Sequence, residues 1–413
     1  GVCFCVFYSC IPGGDVDKTE PGDIGFDTII VDLCCHPNRD IVAAGSIDGD
    51  VTIHSYSLEG ESHQLLSFQN HKKACRALSF SPDGNKLFSV SKDKSLQCIN
   101  VDKGSVCANI KKAHSEAIYC LLVVDENIVA TGDDDGFLKV WDMRRNTAVM
   151  EVKENEEYLS DMVIDEKKKT LVASSGEGTV TAFDIRKHKM KMQSELFDSE
   201  LMCLAPMKHE EKLVVGDGEG VLNIFNWGEW GNISDRFPGH PMSVDCMVPL
   251  SKDVVVTGSM DGIIRAVHIV PNRFLGVVGQ HEEFPVENLS KSHCGRFVAS
   301  CSHDQKIKFW NVEDIGNKKV HASKKPKKKL KTQPVGKSVA KDNFFADLDD
   351  TDRKGSTDSE EDNDSDNDDG DDDELGHSDD NEESNTAPEN NVKMQETEPR
   401  SDDSADEGTS NVT

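Results

Sequence analysis

The chain has no apolar run of the roughly 18–20 residues that a membrane-spanning helix requires, so a protein that crosses a bilayer on helices is excluded. Positive charge is scarce: 46 Lys and Arg stand against 76 Asp and Glu, a formal net charge of −30 over 413 residues. A negative field repels phosphate, which argues against a general nucleic-acid coat. The 13 cysteines include no C-x-x-C pair. Such pairs are typical of structural zinc sites, so none is expected, and an odd count is a poor basis for a secreted disulfide scaffold. Cys98, Cys120, Cys203 and Cys246 lie inside apolar runs, where a free thiol acts as a small buried hydrophobe in a reducing compartment.

Catalytic signatures are missing too. No G-x-x-x-x-G-K-S/T loop and no G-x-S-x-G elbow occurs. His209 and His281 each precede two acids without the second His that a zinc protease needs. Asp133, Asp134, Asp135 and Gly136 resemble the start of a calcium loop, yet no Glu closes it. Gly216, Gly218 and Gly220 look like a phosphate cradle, but they fall on a turn of the repeat described next. These absences lead us to expect no enzymatic activity, no cofactor and no metal.

What is present is a repeat. An acidic residue after a strand-like run recurs at Asp48, Asp93, Asp135, Glu177, Glu219, Asp261 and Asp304, at intervals of 42–45 residues. Six positions before it stand Val42, Leu87, Val129, Leu171, Leu213, Val255 and Val298, and three after stand Val51, Leu96, Leu138, Val180, Leu222, Ile264 and Ile307. The next position is polar throughout, from Thr52 and Gln97 to Arg265 and Lys308, and the one beyond it is apolar again. Period-two alternation marks strands. Gly follows the acid in five of the seven units, as a tight hairpin turn favours. Four short strands per ~42 residues describe a β-propeller blade. Seven units make one closed ring, so the fold class is all-β. The seventh unit lacks an evident fourth strand, and residues 24–28 are expected to supply it, since closing the ring removes exposed sheet edges.

Here the chain resembles the WD-repeat propellers. The third unit carries His114, Thr131, Asp135, Trp141 and then Asp142, and the seventh carries His281, Ser300, Asp304 and Trp310. The resemblance implies a hydrogen-bonded tetrad in each, with His on the turn Asp and the Ser/Thr hydroxyl on the indole N–H. Other units depart from it: Ile99 and Val267 replace Trp in units two and six, and Phe183 and Phe225 do so in units four and five.

Charge divides the remainder. Residues 1–317 carry 48 acids and 32 bases, residues 318–341 carry ten Lys and no acid, and residues 342–413 carry 28 acids and four bases. We therefore expect an irregular segment at 1–22, a seven-bladed propeller at 23–315, a Lys-rich linker at 316–341, and a disordered, highly acidic tail at 342–413. The apolar stretch 2–11 is expected to add little to the fold. Lys324, Lys325, Lys327, Lys328, Lys329 and Lys331 form a candidate nuclear or nucleolar localisation signal. Phe344, Phe345 and Leu348 form an island among acids that suits a docking motif. Ser359, Ser365 and Ser404, each with an acid three residues on, suit an acid-directed kinase.

Four stretches at residues 73–80, 133–142, 263–273 and 292–310, together with the island at 343–348 and the charged tail, resemble the WD repeat-containing protein 55 family. The similarity spans about residues 24–348. It implies a nucleolar scaffold acting in ribosomal RNA production and ribosome biogenesis, with some protein in the cytoplasm. Together with a rigid ring whose successive turns sit side by side and the lack of a long apolar run, it leads us to expect protein partners in pre-ribosomal or nucleolar complexes and a monomeric ring within larger assemblies, with no membrane partner; direct contact with RNA stays open at this level. A second reading is a substrate receptor for a cullin-type ubiquitin ligase. Receptors of that class resemble W-D-x-R, which Trp141, Asp142, Met143 and Arg144 match, and which Asp184 and Arg186 match more loosely after Phe183.

Overall fold

In the structure, a computed structural model, residues 19–316 are described. They form seven four-stranded antiparallel sheets, each a meander in sequence order except the last. Blade one covers residues 30–68, blade two 75–110, blade three 118–153, blade four 159–193, blade five 201–238, and blade six 244–280. Blade seven takes Val286–Lys291, Phe297–Ser302 and Lys306–Asn311, and its outer strand is Ile24–Gly25 from the start of the ring. Ile24 pairs with Ile307 and Gly25 with Lys306. The closure expected from residues 24–28 is therefore present, as a two-residue strand. Glu20 and Thr19 add bonds to the backbone and side-chain amide of Asn311.

Alternation in the sequence becomes burial between blades. Each blade's second strand is sandwiched by its neighbours on both faces, and Ile41–Ser46, Thr170–Ser175, Val254–Ser259 and Phe297–Ser302 are buried at every residue. The outer strands face solvent, as in Ser105–Ile110. Seven apolar clusters fill the seven interfaces, the one between blades seven and one included. Removing apolar area from water stabilises by about 25 cal/mol per Å², and all seven interfaces contribute to it.

The hairpin turns explain the glycines. Gly220 has φ +81°, and a Cβ there would stand 2.5 Å from the carbonyl oxygens of both His240 and Met242. Only glycine combines the left-handed backbone with that approach. In blades two and seven the corresponding residues are Lys94 and Gln305, which take φ of 71° and 61° themselves.

Every innermost strand carries a β-bulge at the same place, for example between Ile30 and Asp32 and between Leu159 and Asp161. The bulge turns side chains toward the axis. These strands line a central cavity of about 720 Å³.

Candidate functional site

The polar groups inside the ring hold blades together. In blade three the His114 ring lies 2.8 Å from Asp133 Oδ2 and 2.6 Å from Thr131 Oγ1, while Trp141 Nε1 donates to Thr131 Oγ1 at 2.8 Å. One proton arrangement satisfies every atom: indole N–H to Thr131, Thr131 O–H to the imidazole, imidazole N–H to the carboxylate. The acid is Asp133, not Asp135 as the phase of the repeat suggests. Asp133 ends the second strand and is fully buried, whereas Asp135 is an exposed turn residue whose N–H donates to Asp133 Oδ1. Three consecutive Asp in this turn let the acid two places earlier take the role. In blade seven His281 meets Asp304 at 2.8 Å and Ser300 at 2.6 Å, and Trp310 Nε1 donates to Ser300 at 2.7 Å. Burial lowers the pKa of His281, against the opposing pull of Asp304, which favours the neutral ring that this arrangement requires.

The other blades show what remains when a member is lost. Blade two has no indole, and Ser95 relays between His71 and Asp93, accepting from the ring at 2.8 Å and donating to the acid at 2.5 Å. In blade four Asn155 replaces His and its amide reaches Glu177, Thr179 and Thr181. Blade six keeps His240 against Thr257 at 2.9 Å. Its acid, Asp261, is occupied by a two-pronged bond from Arg265 at 3.0 and 2.6 Å, so His240 Nδ1 has no partner. Burial and the Arg265 charge lower His240 to about 4.

The axis holds residues that alternation alone does not reveal. Asp32 accepts from the N–H groups of Leu33 at 2.8 Å and Leu78 at 2.5 Å and from the Asn288 amide, tying blades seven, one and two. Asp161 accepts from Met162 at 2.7 Å and Leu204 at 2.8 Å, tying blades four and five. Burial outweighs these bonds and raises Asp32 to about 7 and Asp161 to about 6. In the equivalent bulge position Cys203 and Cys246 donate to the next blade's carbonyls, Val244 and Val286. Their thiols are pushed well above the usual range by burial. Only the bulge register identifies these positions, and a bulge breaks the period that the sequence displays.

Asp142 and Asp184 sit in equivalent turns of adjacent blades and are buried. Each caps its turn by accepting from the N–H two residues on, Arg144 at 3.0 Å and Arg186 at 3.1 Å. The Arg144 guanidinium also grips Asp142 in a fork at 2.8 and 2.7 Å while staying 65% exposed, and this pairing holds Asp142 at about 2. Arg186 instead donates to the Lys167 carbonyl at 3.0 Å. Lys324, Lys325, Lys327, Lys328, Lys329, Lys331, Phe344, Phe345, Leu348, Ser359, Ser365 and Ser404 lie outside the described residues. Among the described residues no group of three or more His, Cys, Asp or Glu side chains converges as metal ligands would.

A closed ring of seven four-stranded blades, with His–Ser/Thr–Trp relays between strands, defines a WD-repeat β-propeller. A family model described as WDR55 matches residues 21–315. The chain is 45% identical to WD repeat-containing protein 55 of Homo sapiens over 299 residues, covering 72% of this chain and 78% of that one. It is 44% identical to the Danio rerio protein of the same name over 338 residues, covering 81% and 87%. With the Drosophila simulans homolog it shares 38% over 349 residues, covering 83% and 69%. The chain belongs to the WD repeat-containing protein 55 family.

Proposed function

We propose that the protein is a non-catalytic nucleolar scaffold acting in ribosomal RNA production and ribosome biogenesis. The observation that carries the scaffold role is the division of labour in the ring: polar groups between blades and at the axial bulges are spent on cohesion, while the turns on both rims are exposed. Such a rigid disc can hold several partners side by side. Membership of the WD repeat-containing protein 55 family supports the ribosomal part, and the cluster at 324–331 supports the nuclear address. Depleting the protein and resolving ribosomal RNA precursors tests this. Accumulated precursors, rescued by the full chain, are expected; an unchanged precursor profile refutes the role. Affinity purification with and without residues 342–413 identifies the partners.

The ligase-receptor reading is favoured by one observation, the exposure of Arg144 and Arg186 on equivalent turns of adjacent blades. Co-precipitation of the ligase adaptor by the wild type, lost in Arg144→Ala with Arg186→Ala, would establish it. Absence of adaptor from the wild-type pull-down would remove it.

A further inference from the structure

Antiparallel order sends the first and third turns of every blade to one rim, here the lower, and the second turn and the inter-blade loop to the upper. Blades three and four sort their charge along this axis. On the lower rim the turn after Phe137–Asp142 presents Arg144 and Arg145, the turn before Thr170–Ser175 presents Lys167, Lys168 and Lys169, and the turn before Lys189–Gln193 presents Arg186 and Lys187, all exposed. The two turns of blade four lie side by side, since Ile185 N–H donates to the Lys169 carbonyl at 3.1 Å and Arg186 donates to that of Lys167. Of the acids in these turns, Asp142, Asp165 and Asp184 are buried and accept turn N–H groups, and Glu166 is exposed; the remaining lower turn of blade three adds exposed Glu126, so on this rim seven exposed cations face two exposed carboxylates. On the upper rim of the same two blades, the loops at 154–157 and 195–200 expose six carboxylates.

We infer that the lower rim of blades three and four binds the phosphate backbone of RNA. The acidic upper rim repels a polyanion and the cationic lower rim attracts it, so the disc orients its ligand despite a negative net charge. None of the large exposed apolar side chains lies on these three turns. The core of a protein interface is apolar and depleted in Lys, whereas phosphates accept Lys as a point charge; four of the seven cations here are Lys, and the Arg144 fork is already held by Asp142. The choice of RNA among polyanions rests on the ribosomal reading above.

The test uses the full chain and a fluorescein-labelled 20-nucleotide single-stranded RNA, with binding read by anisotropy from 50 to 200 mM salt. Because the cluster at 324–331 can also bind phosphate, every measurement is repeated with its six Lys changed to Gln. Lys167→Gln, Lys168→Gln and Lys169→Gln together should weaken binding at least ten-fold in both backgrounds. They should also reduce the salt slope by about 2, at roughly 0.7 per phosphate contact for single strands. Lys72→Gln, Lys73→Gln and Lys92→Gln on the upper rim should leave binding unchanged. Equal binding by the lower-rim triple variant, with an unchanged thermal midpoint, overturns the proposal. So does polyglutamate of matched charge binding as tightly as RNA, which would assign the surface to an acidic protein. Loss of RNA binding with full rescue of precursor processing would uphold the surface and count against the ribosomal reading alone.

Discussion

Replacing Thr131 by Val tests whether the relay in blade three holds the ring together. The shape is kept, so no cavity opens, but the hydroxyl that joins two buried groups is gone. Trp141 Nε1–H, donating at 2.8 Å, loses its acceptor, and the His114 nitrogen at 2.6 Å loses its donor. Both side chains are buried, at 5% and 3% exposure, so water does not replace the hydroxyl. Moving the imidazole proton to the other nitrogen does not help, because it would then face an apolar methyl and abandon Asp133. Each buried group left without a partner costs about 1–3 kcal/mol, so a loss of about 3 kcal/mol or more is expected. Thr257→Val in blade six is the control. No indole is present there, and only the His240 contact at 2.9 Å and a longer bond to the Arg265 carbonyl are lost, for about 1–2 kcal/mol. Urea unfolding followed by tryptophan fluorescence measures both, with an unchanged m-value as the condition for reading midpoints as stability. If Thr257→Val proved as damaging as Thr131→Val, counting stranded groups would be the wrong explanation of the relay.

His240→Phe should flatten the acid limb of stability. The folded-state pKa of His240 is depressed to about 4, against about 6.5 unfolded, so its contribution is present above 6.5 and lost as pH falls toward 4. Phe197 already occupies the corresponding place in blade five, its N–H bonded to Gly178 as that of His240 is to Gly220, so the variant should fold. An acid limb as steep as the wild type's, in thermal melts from pH 7 to 4, would contradict this. Gly220→Ala should be far more harmful than Gly228→Ala in thermal melts: both have positive φ, but a Cβ at Gly228 meets nothing within 4 Å. Mild alkylation at pH 8 should label Cys107 and Cys294, which are exposed. Cys75, Cys120, Cys203, Cys246 and Cys301, raised well above the usual thiol range by burial, should react only after unfolding, as peptide mass mapping would show.

Blade number, strand phase and the borrowed closing strand are all legible in the sequence, because each follows from apolar period and from the need to cover an edge. What is illegible depends on contacts across interfaces. Asp133 and Asp135 are both acids in one turn, and only burial separates them. Arg265 stands at a position that is polar in every unit and reads as solvated, yet its side chain is 13% exposed and forked onto Asp261. Asp32 and Asp161 occupy bulges, where the period that betrays a strand is interrupted. The pairing of an acidic upper rim with a basic lower one requires knowing which turns share a side of the disc. A turn's rim follows from its place in the meander, so this pairing becomes legible only once all four strands of each blade are placed.

Blade seven joins Ile24–Gly25 to Lys306–Asn311, so its first part is synthesised long before its last. At about 5–20 residues per second, the early strand waits roughly 15–60 seconds for its partner to leave the ribosome. During that interval the inner face of blade one, with Ile30, Leu33 and Val42, has no neighbour. A long strand waiting there would offer a template to other nascent chains; a strand of two residues offers almost none. The brevity of the closing strand thus lets the growing chain tolerate an open ring, leaving most of the seal to side chains that arrive together at the end.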